Sequence, residues 1–236
     1  MITLQEAKKS RPLKNLTWNM KITGWLSPYF IYILANLNIN PNLVTFSWII
    51  VSWIGLYFIS LGSYVNSVLG ILIFHFALFL DSLDGGLARV LKKTNVSGEF
   101  LDRFFSTLNR SLMLLVLGIG LYRASHNAVF LYLGIFSSIF LALENLIKMK
   151  KYESLINSNR LDIIKKNIAE KKNIRKGVRF YIYEAFRPAN HFTLSFFAVI
   201  FSFTWLYLYL YSILVFFEVF ILLFKTIFEL KNIKQF

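Results

Sequence analysis

The sequence predicts an all-α integral membrane protein with six transmembrane helices and an amino-terminal interfacial amphipathic segment. Three observations predict it. First, 56% of the 236 residues are hydrophobic and only 16% are charged, whereas a soluble domain carries about 25% charged residues. Second, the apolar residues gather into uncharged runs long enough to cross about 30 Å of hydrocarbon. Third, the net charge of +14 sits at the ends of those runs, where lysine and arginine meet anionic headgroups and fix topology. That placement argues against nucleic-acid binding, the other common use of such a charge. There is no cysteine, which excludes disulfides, thiolate catalysis and cysteine-ligated zinc. The first 25 residues hold no compact apolar core before a small-residue cleavage site, so no cleaved signal peptide is expected.

Residues 1–40 form the interfacial segment. Lys8, Lys9, Arg11, Lys14 and Lys21 alternate there with Leu13, Leu16, Trp18, Trp25 and Leu26, a mixture suited to the headgroup layer. Pro28 is expected to break it, and Tyr29 to Leu37 is too short to span. A six-helix transmembrane domain is expected over 41–236. Pro41 costs nothing at a helix start, because its missing N–H would lack a partner anyway, so the first span runs from about Asn42 to Leu61. Gly62 and Ser63 turn the chain. The second span runs from about Tyr64 to Leu80 and continues into an acidic stretch, Asp81 to Arg89. The third runs from about Glu99 to Tyr122 and the fourth from about Ala128 to Ile147. A cytoplasmic basic segment, 148–188, follows; within it 155–178 reads equally as an amphipathic surface helix or a solvated loop. The last apolar block, Phe192 to Phe228, is 37 residues long. One span needs about 20, so the block is read as two helices turning near Trp205, although neither Gly nor Pro marks the turn. In this layout Arg123 is the only one of the 26 Lys and Arg residues in an outer turn. The asymmetry puts both termini and the Asp81–Gly98 connection in the cytoplasm.

Four of the 12 acidic residues lie between Asp81 and Asp102. Asp81 and Asp84, three apart, share a helix face, and a hairpin between spans two and three brings Asp102 beside them. Carboxylates gathered at a membrane boundary repel one another and resist desolvation. Either Arg89, Lys92, Lys93 and Arg103 neutralise them, or they hold a hard cation that bridges substrate phosphates. The neighbouring residues favour the cation. Gly85 and Gly86 let backbone approach a bulky ligand, Arg89 offers a fork to phosphate, and Gly98 opens a helix whose N–H groups favour an anion.

The run Asp81-x2-Asp84-Gly85-x2-Ala88-Arg89-x8-Gly98-x3-Asp102 resembles the signature of the CDP-alcohol phosphotransferase (CDP-alcohol phosphatidyltransferase) family, D-x2-D-G-x2-A-R-x8-G-x3-D-x3-D. Seven of its eight fixed positions match at the right spacing. The opening Pro41-Asn42-Leu-Val-Thr45 and the six-span layout also resemble the family. The resemblance implies a membrane enzyme, often a homodimer, embedded in membrane lipid. It would move a phosphate-linked alcohol from a CDP-alcohol such as CDP-diacylglycerol to an alcohol or lipid acceptor, releasing CMP. It implies Asp81, Asp84 and Asp102 as ligands for Mg²⁺ or Mn²⁺, with two ions stabilising the attacking and leaving oxygens. Gly85, Ala88, Arg89 and Gly98 would frame the CDP group, joined by Asn42 and Thr45.

One signature position departs. The last aspartate, the family's expected general base, is Ser106 here, and a serine hydroxyl is no base near neutral pH. Three accounts fit. Another group, such as Glu99 on the same helical stripe or a substrate phosphate, takes the proton; or the acceptor needs little base help; or the chain binds nucleotide or lipid without turnover. General base catalysis contributes about 10²–10⁴-fold, so its loss need not abolish turnover. Elsewhere, Arg187 and His191 could share a face and hold an acceptor phosphate, or snorkel at a helix start. Arg110, inside span three, is expected to pair with Glu144 or with an anionic substrate. Asp-rich prenyltransferases need a second acidic loop that is not present, and a transporter would show symmetric halves or broken helices.

Overall fold

The computed structural model describes residues 2–10, 18–158, 160 and 191–231. Among these, every regular element is a helix: α1 Leu4–Lys9, α2 Trp18–Asn36, α3 Pro41–Ser60, α4 Tyr64–Val90, α5 Val96–Ser125, α6 Ala128–Asn157, α7 His191–Ile200 and α8 Thr204–Lys231. Five of them, α3 to α6 and α8, are long and apolar enough to cross a membrane. The protein is a multi-pass membrane protein.

Capping chemistry sets the helix starts. Asn40, Ser63, Asn95 and Asn127 each turn a side-chain oxygen onto a backbone N–H of the first turn, satisfying donors that have no partner inside the helix. The helix ends are less orthodox. Asn38, Lys92 and Ser202 take positive φ, and each is followed by an N–H reaching back five residues, to Leu34, Ala88 and Ala198 respectively. This is the Schellman closure, with residues other than Gly at the left-handed position.

Two glycine crossings bring the spans into close contact. A Cβ on Gly70 of α4 would lie 2.6 Å from the Gly55 carbonyl oxygen of α3. A Cβ on Gly118 of α5 would lie 2.6 Å from the Phe130 carbonyl oxygen of α6. Small residues allow such approach in lipid, where packing rather than water exclusion holds helices together. Three buried clusters result. One, around Leu56, Ile71, Phe74 and Met113, joins α3, α4, α5 and α7. A second, around Ala7, Ile31, Val44, Leu83 and Leu87, docks α1 and α2 onto the motif end of α4. The third, around Leu114, Leu141, Leu208 and Val215, joins α5, α6 and α8.

The structure corrects several expectations. Pro28 does not end the interfacial segment but lies inside the 19-residue α2. A proline removes one backbone bond and crowds the carbonyl four residues back, here that of Gly24, and the helix is held beyond it by burial of Ile31 and Ala35. The fourth span does not stop at Ile147; α6 runs on to Asn157, so the first ten residues of the expected basic segment continue the helix. The turn in the last apolar block does fall near Trp205, at Phe201–Phe203 with Ser202 at φ 61. The fifth expected span is described only over the 10 residues of α7, about 15 Å of helix and half of a crossing. The rest of 148–188 beyond Arg160, including Arg187, lies outside the described residues.

Candidate functional site

The site is built where the start of α3, the end of α4 and the start of α5 meet. Asp81 and Asp84 sit three apart on α4, and the short connection between Val90 and Val96 returns the chain so that Asp102 of α5 faces them. One carboxylate oxygen from each of Asp81, Asp84 and Asp102 lies within 4.8 Å of the others. The sequence pattern anticipated this convergence.

Asp84 is the most tightly held of the three. It is 6% exposed, and its Oδ2 accepts from Thr45 Oγ1 at 2.9 Å and from Trp48 Nε1 at 3.2 Å. Its Oδ1 accepts from the backbone N–H of Gly85. Thr45 and Trp48 lie three apart on α3, which puts both donors on the face turned to α4. Thr45 therefore directs its hydroxyl at an aspartate. Sequence reasoning missed Trp48; the available signal was its i+3 spacing from Thr45 within an otherwise apolar helix.

A cavity of about 310 Å³ adjoins the cluster. Its walls include Asn42, Thr45, Asp84, Gly85, Ala88, Arg89, Gly98, Glu99 and Asp102, nine of the residues singled out from sequence. Lys93, Thr94, Asn95 and Arg103 complete it together with Pro41. A Cβ on Gly85 would meet nothing closer than the Arg89 guanidinium at 3.4 Å, so the backbone there stays open to the cavity. Gly86 has a different role. A Cβ on it would lie 2.4 Å from Ile31 Cδ1, so it lets α2 pack against the motif. Gly98 also departs from expectation. Its N–H donates to Asn95 Oδ1 at 2.5 Å and is not free for an anion, because the first turn of α5 is capped by a side chain. An Asn three residues before the glycine was the signal for that cap.

The neutralising network considered from sequence does not form on Asp84 or Asp102 among the described residues. Arg103 Nη2 instead contacts Glu99 Oε1 at 2.5 Å, both side chains being exposed. Arg89 Nε donates to the Ser10 carbonyl at 2.7 Å. Three convergent carboxylates beside the cavity are a donor set suited to Mg²⁺ or Mn²⁺, which take oxygen ligands and retain waters and substrate phosphates. Ser106 lies one turn beyond Asp102, half-buried, and is not part of the cavity wall. His191 does not reach a headgroup surface. It is fully buried, and its Nδ1 bonds the Tyr207 hydroxyl. Arg110 follows the structural expectation, donating to Asn145 Oδ1 at 2.9 Å and lying 3.8 Å from Glu144.

Fold and site together define a polytopic helical membrane protein with an aspartate cluster beside a cavity. The family model of CDP-alcohol phosphatidyltransferases matches residues 38–228, and the chain belongs to that family. It is also similar to an uncharacterized protein of Aquifex aeolicus (strain VF5), 31% identical over 109 residues, or 42% of this chain. The match spans about half, 52%, of that relative's length.

Proposed function

We propose that this chain is a metal-dependent CDP-alcohol phosphotransferase, which passes the phosphate-linked alcohol of its donor to an acceptor hydroxyl and releases CMP. The observation that supports this most is the convergence of Asp81, Asp84 and Asp102 within 4.8 Å beside a cavity walled by the family's motif residues. These aspartates would hold one or two Mg²⁺ or Mn²⁺ ions, which supply charge neutralisation at the attacking and leaving oxygens when bound.

The chain's own residues do the remaining work. Thr45 and Trp48 fix the Asp84 carboxylate in one orientation. Gly85 admits the nucleotide against bare backbone, and Arg89 offers its guanidinium to a phosphate. One phosphorus–oxygen bond forms to the acceptor, the bond to CMP breaks, and the acceptor proton must leave. Ser106 cannot take it near neutral pH. Glu99 lies on the cavity wall, exposed and held by Arg103, and in this reading it accepts the proton. The lysines at the cavity end of the bundle, Lys92, Lys93, Lys148, Lys150 and Lys151, support a cytoplasmic opening, because only Arg123 stands at the other end among the described spans. A homodimer belongs to the same proposal on family resemblance.

Ser106 favours a second reading, in which nucleotide or lipid binds without turnover. Purified protein incubated with CDP-diacylglycerol and other CDP-alcohols, varied acceptors and Mg²⁺ or Mn²⁺ separates the two. The expected result is CMP release that a chelator abolishes and that Glu99→Gln lowers by roughly 10²-fold. Folded protein that releases no CMP, either as wild type or as Ser106→Asp, would overturn the transferase reading in favour of the second.

A further inference from the structure

The helix α1 precedes the family-matched region, yet it reaches the site. Its end supplies the Ser10 carbonyl that accepts from Arg89 Nε at 2.7 Å. Arg89 lines the cavity, and its Nη1 lies over the bare backbone of Gly85. Among the described residues the two terminal nitrogens make no hydrogen bond, so one edge of the guanidinium is fixed while the fork that suits phosphate stays available. The acceptor is a neutral carbonyl. A carboxylate at the same place would cancel the positive charge; a carbonyl orients the group and leaves the charge intact for an anion.

The segment is anchored to do this. Ala7 is fully buried. Ile2 exchanges two hydrogen bonds with the Asn36 side chain, at 3.0 and 3.2 Å. Thr3 and Glu6 form a reciprocal capping box, which fixes the helix start. Ser10 Oγ donates to the Ala7 carbonyl at 2.7 Å, which tightens the turn that presents the Ser10 carbonyl.

We infer that α1 is a positioning element for Arg89, so that the amino-terminal segment sets the affinity of the cavity for a nucleotide phosphate. This rests on the proposed function, since it takes the cavity's ligand to be a cytidine nucleotide.

A double-mutant cycle on the full-length protein tests it, with CMP and Mn²⁺ as the probe and binding measured by calorimetry. Removal of residues 2–10 is expected to weaken CMP binding roughly tenfold, the scale of a lost charge-assisted hydrogen bond. The milder Thr3→Ala/Glu6→Ala variant, which removes only the capping box, is expected to weaken it about threefold. In an Arg89→Ala background neither change should have a further effect, because the residue they act through is gone. The donor KM should rise in step while kcat stays unchanged. If the deletion does not give folded protein, the capping-box variant decides the matter alone. Unchanged CMP affinity in the folded variants, or losses that simply add to that of Arg89→Ala, would overturn the inference. Wild-type protein that binds no CMP would overturn the proposed function itself, and this inference with it.

Discussion

Two buried acidic residues of the described bundle, Glu144 and Asp84, are held in opposite ways. Glu144, on α6, is 1% exposed and is met by Lys148 one turn on and by Arg110 from α5 at 3.8 Å. Asp84 is almost as buried, but its neighbours are two more aspartates, and its hydrogen bonds come from a threonine, an indole and a backbone amide. The first arrangement needs nothing from outside the chain. The second gathers carboxylates together and steadies Asp84 with neutral donors. A charge buried with a counter-charge is a structural device, and breaking it is costly. A charge buried among neutral donors and beside other carboxylates suits a cation.

Substitutions at the two places should therefore fail in different ways. Asp84→Asn keeps an oxygen for Thr45 and Trp48 but removes the charge. CMP formation is expected to fall by about 10³-fold, the scale of losing a principal electrostatic group, while thermal unfolding in detergent moves little or rises. Glu144→Gln removes the carboxylate 3.8 Å from the buried Arg110, whereas Lys148, 44% exposed, can turn to solvent. That variant should lose about 3 kcal/mol of stability, while each folded molecule keeps its activity. If unfolding temperatures fell equally in both, the contrast would break down.

Smaller changes sharpen the comparison. Trp48→Phe removes one donor to Asp84 and retains the packing of a large ring. Support of this kind around a metal ligand is worth about 10–100-fold in metal affinity, and the lower end is expected because Thr45 remains. A Mn²⁺ titration of purified Trp48→Phe checks it. Ser202→Gly should stabilise the protein by about 0.5–1 kcal/mol, since a residue with a Cβ is strained at positive φ. Chemical denaturation in detergent would show it, with CMP formation unchanged because the turn lies far from the cavity.

The helical membrane fold and the convergence of the three aspartates were both legible in the sequence. Asp81 to Asp102 is nearly contiguous, and one hairpin brings its ends together, so spacing alone carried most of the geometry. Trp48 was hidden because its partner lies 36 residues away and an indole in an apolar span reads as lipid-facing. The fate of Gly98 was hidden because a helix start and a capped helix start look alike until the side chain of Asn95 is given its role. The long spans were legible from hydropathy. Pro28 misled, because local preference predicts a break at proline whereas burial of Ile31 and Ala35 holds the helix beyond it. The turn before α8 was expected from length alone, and its exact place was hidden because the Schellman closure onto Ala198 uses Ser202 where a glycine would have marked it.

The most direct test is Mn²⁺ binding followed by electron paramagnetic resonance on wild type, Asp102→Asn and Glu144→Gln. The account predicts saturable binding in wild type and in Glu144→Gln, and a loss of at least tenfold in affinity in Asp102→Asn. Binding that is absent from wild type, or equally strong in all three proteins, would contradict it.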